Sequence, residues 1–393
     1  MHNTAPADAQ SPPPPQGAPR RLPPLEVDRR LIADPALKAV AARLEAGRRL
    51  GWEEGMALMT SRDLLGLGAL GLAARRALHR RRAYYVINRH LNYSNVCVNR
   101  CAFCAFWREP GAEGAYTLSP REAAALAAAQ PEPALSELHV VGSCHPELGL
   151  DYYLELLRAL KRARPRAALK AFTPVEIDHM ARREGLEVKE VLARLKQAGL
   201  AAMPGGGAEV FSPRVRARLC PRKISGRRWL EICGQAHRLG IPTNATMLYG
   251  HIETPRERVE HLLMLRRQQD ATGGFNAFIP LAFHPLNTAL SQAAPTGGLD
   301  DLRLIAASRL LLDNFPHIKA YWVMLGEKLA GVALNFGADD LDGTIGQENI
   351  THAAGATSAR GLSETRLRQL ITAAGFTPVR RDAFYHSLED GRP

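Results

Sequence analysis

The chain has 393 residues, a formal net charge of +12, 46% hydrophobic and 23% charged residues, and six cysteines. These totals suit one large folded unit or two ordinary ones, and they exclude a mainly disordered chain and a disulfide-dense secreted scaffold. The longest weakly apolar run, Leu64 to Ala74, is too short to span a bilayer, and the polar, proline-rich start carries no secretory pattern, so a cytoplasmic protein without membrane contact is expected.

Residues 1–28, with SPPPPQGAPRRLPPLE, show no apolar periodicity and read as a disordered or polyproline-type extension. Residues 29–82 read as N-terminal helices. Asp34 followed by Pro35 is an N-cap with proline at the first helical position, and Leu37, Val40, Ala41 and Leu44 form the apolar stripe behind it. WEEGMALMT predicts a second helix and Ser61 to Arg82 a third. The basic cluster RRALHRRR ending that third helix reads as a solvated helix end, where cations suit the dipole. A nucleic-acid footprint is not favoured, because no aromatic interleaving or nucleic-acid motif accompanies the basic residues.

From Ala83 the pattern becomes strand-like runs alternating with helices. AYYVINRHL, ELHVVGS, ALKAFTP, LAAMPGG, TNATMLYG, FNAFIPLAF and IKAYWVM predict seven strands, and NFGADDL an eighth. Helices are expected between them, one starting at Ser119-Pro120 with the serine as cap. Repeated β–α units argue for a parallel sheet, and about 250 residues suits a (β/α)8 barrel, here residues 83–345. Residues 346–393 form a C-terminal segment. The fold class is thus α/β, a TIM-type barrel with a helical preface and a C-terminal extension.

The first strand leads into NYSNVCVNRCAFCAFWRE, where Cys97, Cys101 and Cys104 stand in C-x3-C-x2-C spacing. Iron–sulfur clusters are normally held by four thiolates and structural zinc by four Cys or His, so three thiolates leave one iron of a [4Fe–4S] cluster open. A zinc site lacks its second arm, since Cys144, Cys220 and Cys233 are isolated and no histidine pairs with them at zinc spacing. Barrel sites form at the C-terminal ends of strands, which directs attention to the loops there. Gly142 permits close backbone approach, the glycines of MPGGGAEVF are costly unless positive φ or contact demands them, and Glu209 beside them is a polar contact for a ligand. His145, His251 and His284 also follow strands; each is read as a binder of a substrate carboxylate, a proton shuttle, or a structural histidine. Cys144 is read as no cluster ligand.

The cysteine spacing and Phe103 resemble the signature of the radical S-adenosylmethionine (SAM) enzymes. CVNRCAFCAF, KAFTPVEIDHM, MPGGGAEVF, TNATMLYGHIE, DNFPHIKAYWVMLG and FGADDLDGTI further resemble the aminodeoxyfutalosine synthases, from about Arg30 to beyond Ala354. The resemblance implies a [4Fe–4S] cluster on the three cysteines, with SAM as co-substrate at the open iron. It implies SAM contacts from Gly142 and from Ser143, which stands where the superfamily has a second glycine. It also places adenine between Gly250, Ile252, Glu253 and Phe103. The implied reaction adds a 5′-deoxyadenosyl radical to 3-[(1-carboxyvinyl)oxy]benzoate, giving 6-amino-6-deoxyfutalosine, methionine and bicarbonate on the way to menaquinone. The substrate is a small aromatic dianion that arginine or histidine would hold, and the electron donor is a flavodoxin or ferredoxin. His251 and His284 are the candidate catalytic residues. Rival readings are dehypoxanthine futalosine cyclase or a deazaflavin-forming relative, an electron-transfer iron–sulfur protein, and a zinc-stabilised nucleic-acid module.

Overall fold

The computed structural model describes residues 21–129 and 134–388; the extension up to residue 20 lies outside them. Within 21–28, Leu25 is buried and its N–H donates to Leu44 O. Three helices follow: α1 Pro35–Glu45, α2 Trp52–Thr60 and α3 Leu64–His79. Asp34 caps α1 through Ala36 N, and the stripe Leu37, Val40, Ala41 and Leu44 is buried, as the sequence predicts. The basic end of α3 departs from expectation at Arg75, which is fully buried rather than solvated. Its guanidinium donates to the carbonyls of Ala338, Arg80 and Arg82 and lies 3.7 Å from the ring centroid of Phe376. Backbone carbonyls at chain crossings need a donor when water is excluded, and one arginine supplies three.

The sheet is built from β1 Arg82–Val86, β2 Asn88–Leu91, β3 Glu137–Val140, β4 Ala168–Ala171, β5 Leu200–Ala202, β6 Thr243–Tyr249, β7 Phe275–Ala282, β8 His317–Ile318 and β9 Asp340–Gly343. The helices around it are α4 Pro120–Ala128, α5 Leu150–Ala163, α6 Pro174–Glu184, α7 Val188–Gln197, α8 Pro213–Leu219, α9 Gly226–Arg238, α10 Pro255–Thr272, α11 Gly298–Leu311, α12 Trp322–Leu325 and α13 Glu327–Ala333. Ser119, Thr173 and Thr254 begin α4, α6 and α10 as capping boxes with Glu122, Glu176 and Glu257, each with proline at the first turn. α2 packs on α10 and α3 on α11, so the preface covers one side of the barrel.

The strands are parallel and form a closed ring. Ladders join β2 through β5, β6 through β8, and β9 to β1. Single bridges at Met203 with Thr243 and at Lys319 with Asp340 close the two gaps. The predicted first strand, AYYVINRHL, is cut at Ile87. Its lower half pairs with β10 Thr377–Arg381, a strand from the C-terminal segment, and its upper half pairs with β3. Ile87 O accepts Ser136 N, where the neighbour changes. Of the predicted seventh strand, IKAYWVM, only Ile318 lies in β8 and Trp322 onward forms α12, where buried Trp322 donates its ring N–H to Gly343 O. The rest of the C-terminal segment holds α14 Ile350–Ala353 and α15 Glu364–Ala373.

Barrel interiors are usually filled by branched apolar side chains. This one is ionic towards its N-terminal end. Glu137 Oε2 is 2.5 Å from Lys170 Nζ, Asp340 Oδ2 is 2.6 Å from Arg381 Nε, and Asp342 Oδ2 is 2.9 Å from Lys319 Nζ, all buried. Buried charges persist only when paired, and each of these has its partner.

Candidate active site

A cavity of about 310 Å³ opens at the C-terminal ends of the strands. Cys97, Cys101 and Cys104 line one wall of it, with Phe103. The loop carrying them is held by its backbone: Cys97 N donates to Arg108 O, Val98 N to Cys144 O, and Ala102 N to Leu219 O, at 2.8–3.1 Å. Arg100 takes a positive φ of 45° to make the turn between the first two cysteines. Backbone N–H groups point at the sulfurs, from Asn99 to Cys97 and from Phe106 and Trp107 to Cys104. Such donors favour thiolates, and thiolates are what a cluster requires. The Cys97 thiol is drawn down to about 6, first by the Cys144 thiol and, against burial, by Asn99 N. Burial pushes Cys101 up to about 12 and also raises Cys104. Three thiols on one wall with aligned N–H donors fit a cluster that leaves one iron open. Cys144 also lines the cavity, its thiol against that of Cys97 and its sulfur 3.8 Å from Val175 O.

Lys223 sits at this wall. Its Nζ lies 2.6 Å from Glu209 Oε1 and 5.0 Å from the Phe103 ring centroid. Burial would lower it, yet the neighbouring thiols and Glu209 hold it well above the ordinary lysine range. Glu209 is buried at a positive φ of 47°, beside glycines that meet two demands at once. Gly205 has φ 83°, and a Cβ there would stand 2.1 Å from Asn244 O of β6. Gly206 and Gly207 line the cavity.

Gly142 and Ser143 also line the cavity. A Cβ on Gly142 would meet the ring of Tyr93 at 2.5 Å, so a packed tyrosine is what requires glycine there. Tyr93 Oη lies 2.6 Å from Glu176 Oε1, which also accepts Gly142 N, while Glu176 Oε2 accepts Thr173 N. Ser143 donates its hydroxyl to Val96 O and its N–H to Tyr93 Oη.

Gly250, His251, Ile252 and Glu253 lie outside the cavity lining. Glu253 accepts Gly250 N and His251 N and pairs with Arg258 at 2.7 Å, which together with His251 holds its carboxyl well below the usual range despite burial. The His251 side chain is fully enclosed: Nε2 lies 2.9 Å from Leu248 O, and Nδ1 lies 2.8 Å from Glu253 Oε2. His145 likewise stands off the cavity, its Nδ1 accepting Glu147 N. His284 does line it, 3.3 Å from Met324 O, and burial lowers its pKa.

The sequence reading passed over Tyr93, Glu176, Lys223, His90, His139 and Glu348, all of which belong to or brace this cavity. Part of the signal was there. Asn88 and His90 alternate along one strand, as Glu137 and His139 do along the next, and alternate polar residues on barrel strands face inward. Glu348, Ile350 and Thr351 show that the C-terminal segment forms part of the wall.

Residues 91–265 match the Radical SAM superfamily, and residues 272–392 match the CofH/MqnC C-terminal region. The aminodeoxyfutalosine synthase of Thermus thermophilus is 46% identical over 361 residues, covering 91% of this chain and 97% of its own. The chain belongs to the aminodeoxyfutalosine synthase family. It is thus a radical SAM enzyme. The synthase of Streptomyces coelicolor is 42% identical over 359 residues, covering 88% of this chain and 93% of its own. A 5-amino-6-(D-ribitylamino)uracil–L-tyrosine 4-hydroxyphenyl transferase of Methanopyrus kandleri is 42% identical over 310 residues, covering 78% of this chain and 84% of its own. Among solved structures, methylornithine synthase aligns with a TM-score of 0.70 at 16% identity, over 86% of this chain and 97% of that one. The FeFe-hydrogenase maturase of Carboxydothermus hydrogenoformans aligns with a TM-score of 0.68 at 17% identity, over 89% and 80%. These two likenesses speak for the radical SAM barrel fold alone. Among the described residues, no helix is long and apolar enough to cross a membrane.

Proposed function

We propose that this enzyme joins the adenosyl group of SAM to 3-[(1-carboxyvinyl)oxy]benzoate, giving 6-amino-6-deoxyfutalosine and methionine, with one carboxyl group lost as CO2 and taken up by water as bicarbonate and a proton. The observation that carries the reading is the match to the Thermus thermophilus synthase along nearly its whole length. That match takes in the cysteine wall and the C-terminal segment that closes the cavity.

Cys97, Cys101 and Cys104 would hold a [4Fe–4S] cluster, with SAM at its open iron. When bound, these supply one electron and a 5′-deoxyadenosyl radical for addition to the vinyl carbon. The chain's own part is placement and exclusion of water. Val141, Leu248, Ile279, Leu281 and Phe283 give the cavity apolar sides, and holding the two reactants within them supplies much of the rate. The Glu209–Lys223 pair and the turn at Gly142 and Ser143 would receive the polar end of SAM beside the cysteine wall. A flavodoxin or ferredoxin would deliver the electron.

A second reading has the 42% identity of the Methanopyrus kandleri transferase in its favour, an enzyme whose name makes tyrosine its partner substrate. One experiment separates the two. The cluster is reconstituted anaerobically, and SAM, a strong reductant and either the enolpyruvyl benzoate or tyrosine with the ribitylaminouracil are added. Aminodeoxyfutalosine with methionine, seen by mass spectrometry, supports the synthase reading. Turnover of the tyrosine pair alone, or 5′-deoxyadenosine without an adduct, sinks it.

A further inference from the structure

Resting on the proposed reaction, we infer that His90 and His139, stacked on the barrel floor below the cysteine wall, bind the ring carboxylate of the aromatic substrate.

A dianion must be met by positive charge or by N–H donors. Among the described residues no arginine lines the cavity. Its lysine, Lys223, is already paired with Glu209 at the cysteine wall. Deeper down, Lys319 belongs to Asp342 and Lys170 to Glu137. Glu348 is likewise occupied, by Thr351 N and His352 Nδ1. Glu176, also in the lining, accepts Thr173 N and Gly142 N, so both lysines and carboxylates there are engaged and the two imidazoles remain as N–H donors.

His90 on β2 and His139 on β3 are register partners whose rings stack with centroids 4.4 Å apart and planes at 24°. Both line the cavity, and neither ring has a hydrogen-bond partner among the described residues. Burial holds both below the ordinary histidine range, so without a ligand they stand as two neutral rings face to face. A carboxylate lowered onto them accepts one N–H from each. It also supplies the countercharge that lets one ring take a proton, which stacked imidazoles do not otherwise favour. Orientation follows from the chemistry: the vinyl carbon must face the wall that holds SAM, so the distal end of the molecule, its ring carboxylate, points down the barrel.

The test uses reconstituted holoenzyme with SAM and two enol ethers, the enolpyruvyl benzoate and the same ether of phenol, which lacks the ring carboxylate. In the unmodified enzyme the phenol ether should show a KM higher by roughly tenfold or more. His90→Gln and His139→Gln should each raise the benzoate KM by about tenfold, leave the phenol-ether KM nearly unchanged, and so collapse the discrimination between the two. Iron content and SAM affinity should match the unmodified enzyme, which separates lost recognition from lost folding. Variants that keep the discrimination overturn the assignment, as does loss of iron or SAM binding in both. An unmodified enzyme that leaves both ethers untouched overturns the proposed reaction itself, and the assignment with it.

Discussion

Lys223 and Glu209 form a buried ion pair, Nζ to Oε1 2.6 Å, beside the three cysteines. The pair places one cation against thiols that must ionise to bind iron, and Glu209 fixes where that cation sits. Lys223→Met leaves Glu209 charged and unpaired beside those thiols. It should cost about 3–5 kcal/mol of stability and lower the iron bound per chain. Adding Glu209→Leu should restore most of the stability but not the iron. Chemical denaturation and iron analysis of the two variants check this. Equal iron loading in the single variant would refute the electrostatic role.

Replacing Cys97, Cys101 or Cys104 by alanine should each abolish cluster assembly and turnover, since three thiolates are the minimum donor set. Cys144→Ala should leave iron and sulfide content intact, because Cys97, Cys101 and Cys104 already supply the three thiolates. Iron analysis of the four proteins after identical reconstitution decides it; full iron in any of the first three contradicts the site.

Gly142→Ala should be far worse than a surface substitution. The added methyl meets the Tyr93 ring at 2.5 Å, and Tyr93 Oη is tied to Glu176. Overpacking of this kind costs about 1–3 kcal/mol, and the displaced loop should also weaken SAM binding. Tyr93→Ala in the same chain should recover part of the SAM affinity by emptying the space. A Gly142→Ala protein with unchanged SAM affinity would count against any part for this turn in binding.

Stability should fall early on acidification. His237, between Thr272 Oγ1 and Thr243 Oγ1, and His261, between Phe211 N and Thr246 O, are each held down to about 3 by burial. Their unfolded value is near 6.5. The unfolded chain therefore takes up protons that the folded chain refuses between about pH 6.5 and 3. Their contribution is complete above 6.5 and shrinks as pH drops, by up to about 1.4 kcal/mol per unit for each. Urea unfolding from pH 8 to 5 should show a plateau above 7 and a decline below 6.5. A flat profile down to pH 5 would show that these rings accept protons in place.

How much of this was legible beforehand differs by element. Capped helices such as α1 and α4 were plain, because a polar cap, a proline and an apolar stripe are local facts. The strands were legible as apolar runs, but the cut at Ile87 was not, since it depends on a neighbour, β10, nearly three hundred residues away. Arg75 looked like one more surface cation in a basic cluster, and only the crossing of three carbonyls explains its burial. The cysteines announced themselves by spacing. The floor histidines announced themselves only by alternation in strands read for their apolar residues. Lys223 had no local signal, for it reaches the cysteine wall from the loop between α8 and α9.

The seam of the barrel also constrains how the molecule is made. β10 lies against β1, and its Arg381 reaches Asp340 inside the ring while Phe376 stacks under Arg75. Nearly three hundred residues of synthesis therefore separate two neighbouring strands of the barrel. On a translating ribosome, the earlier β–α units must wait with an open edge, exposed to chaperones and proteases, until β10 arrives. Chains stopped after residue 376 should remain protease-sensitive however long they are incubated. Supplying residues 377–388 as a separate peptide should restore resistance.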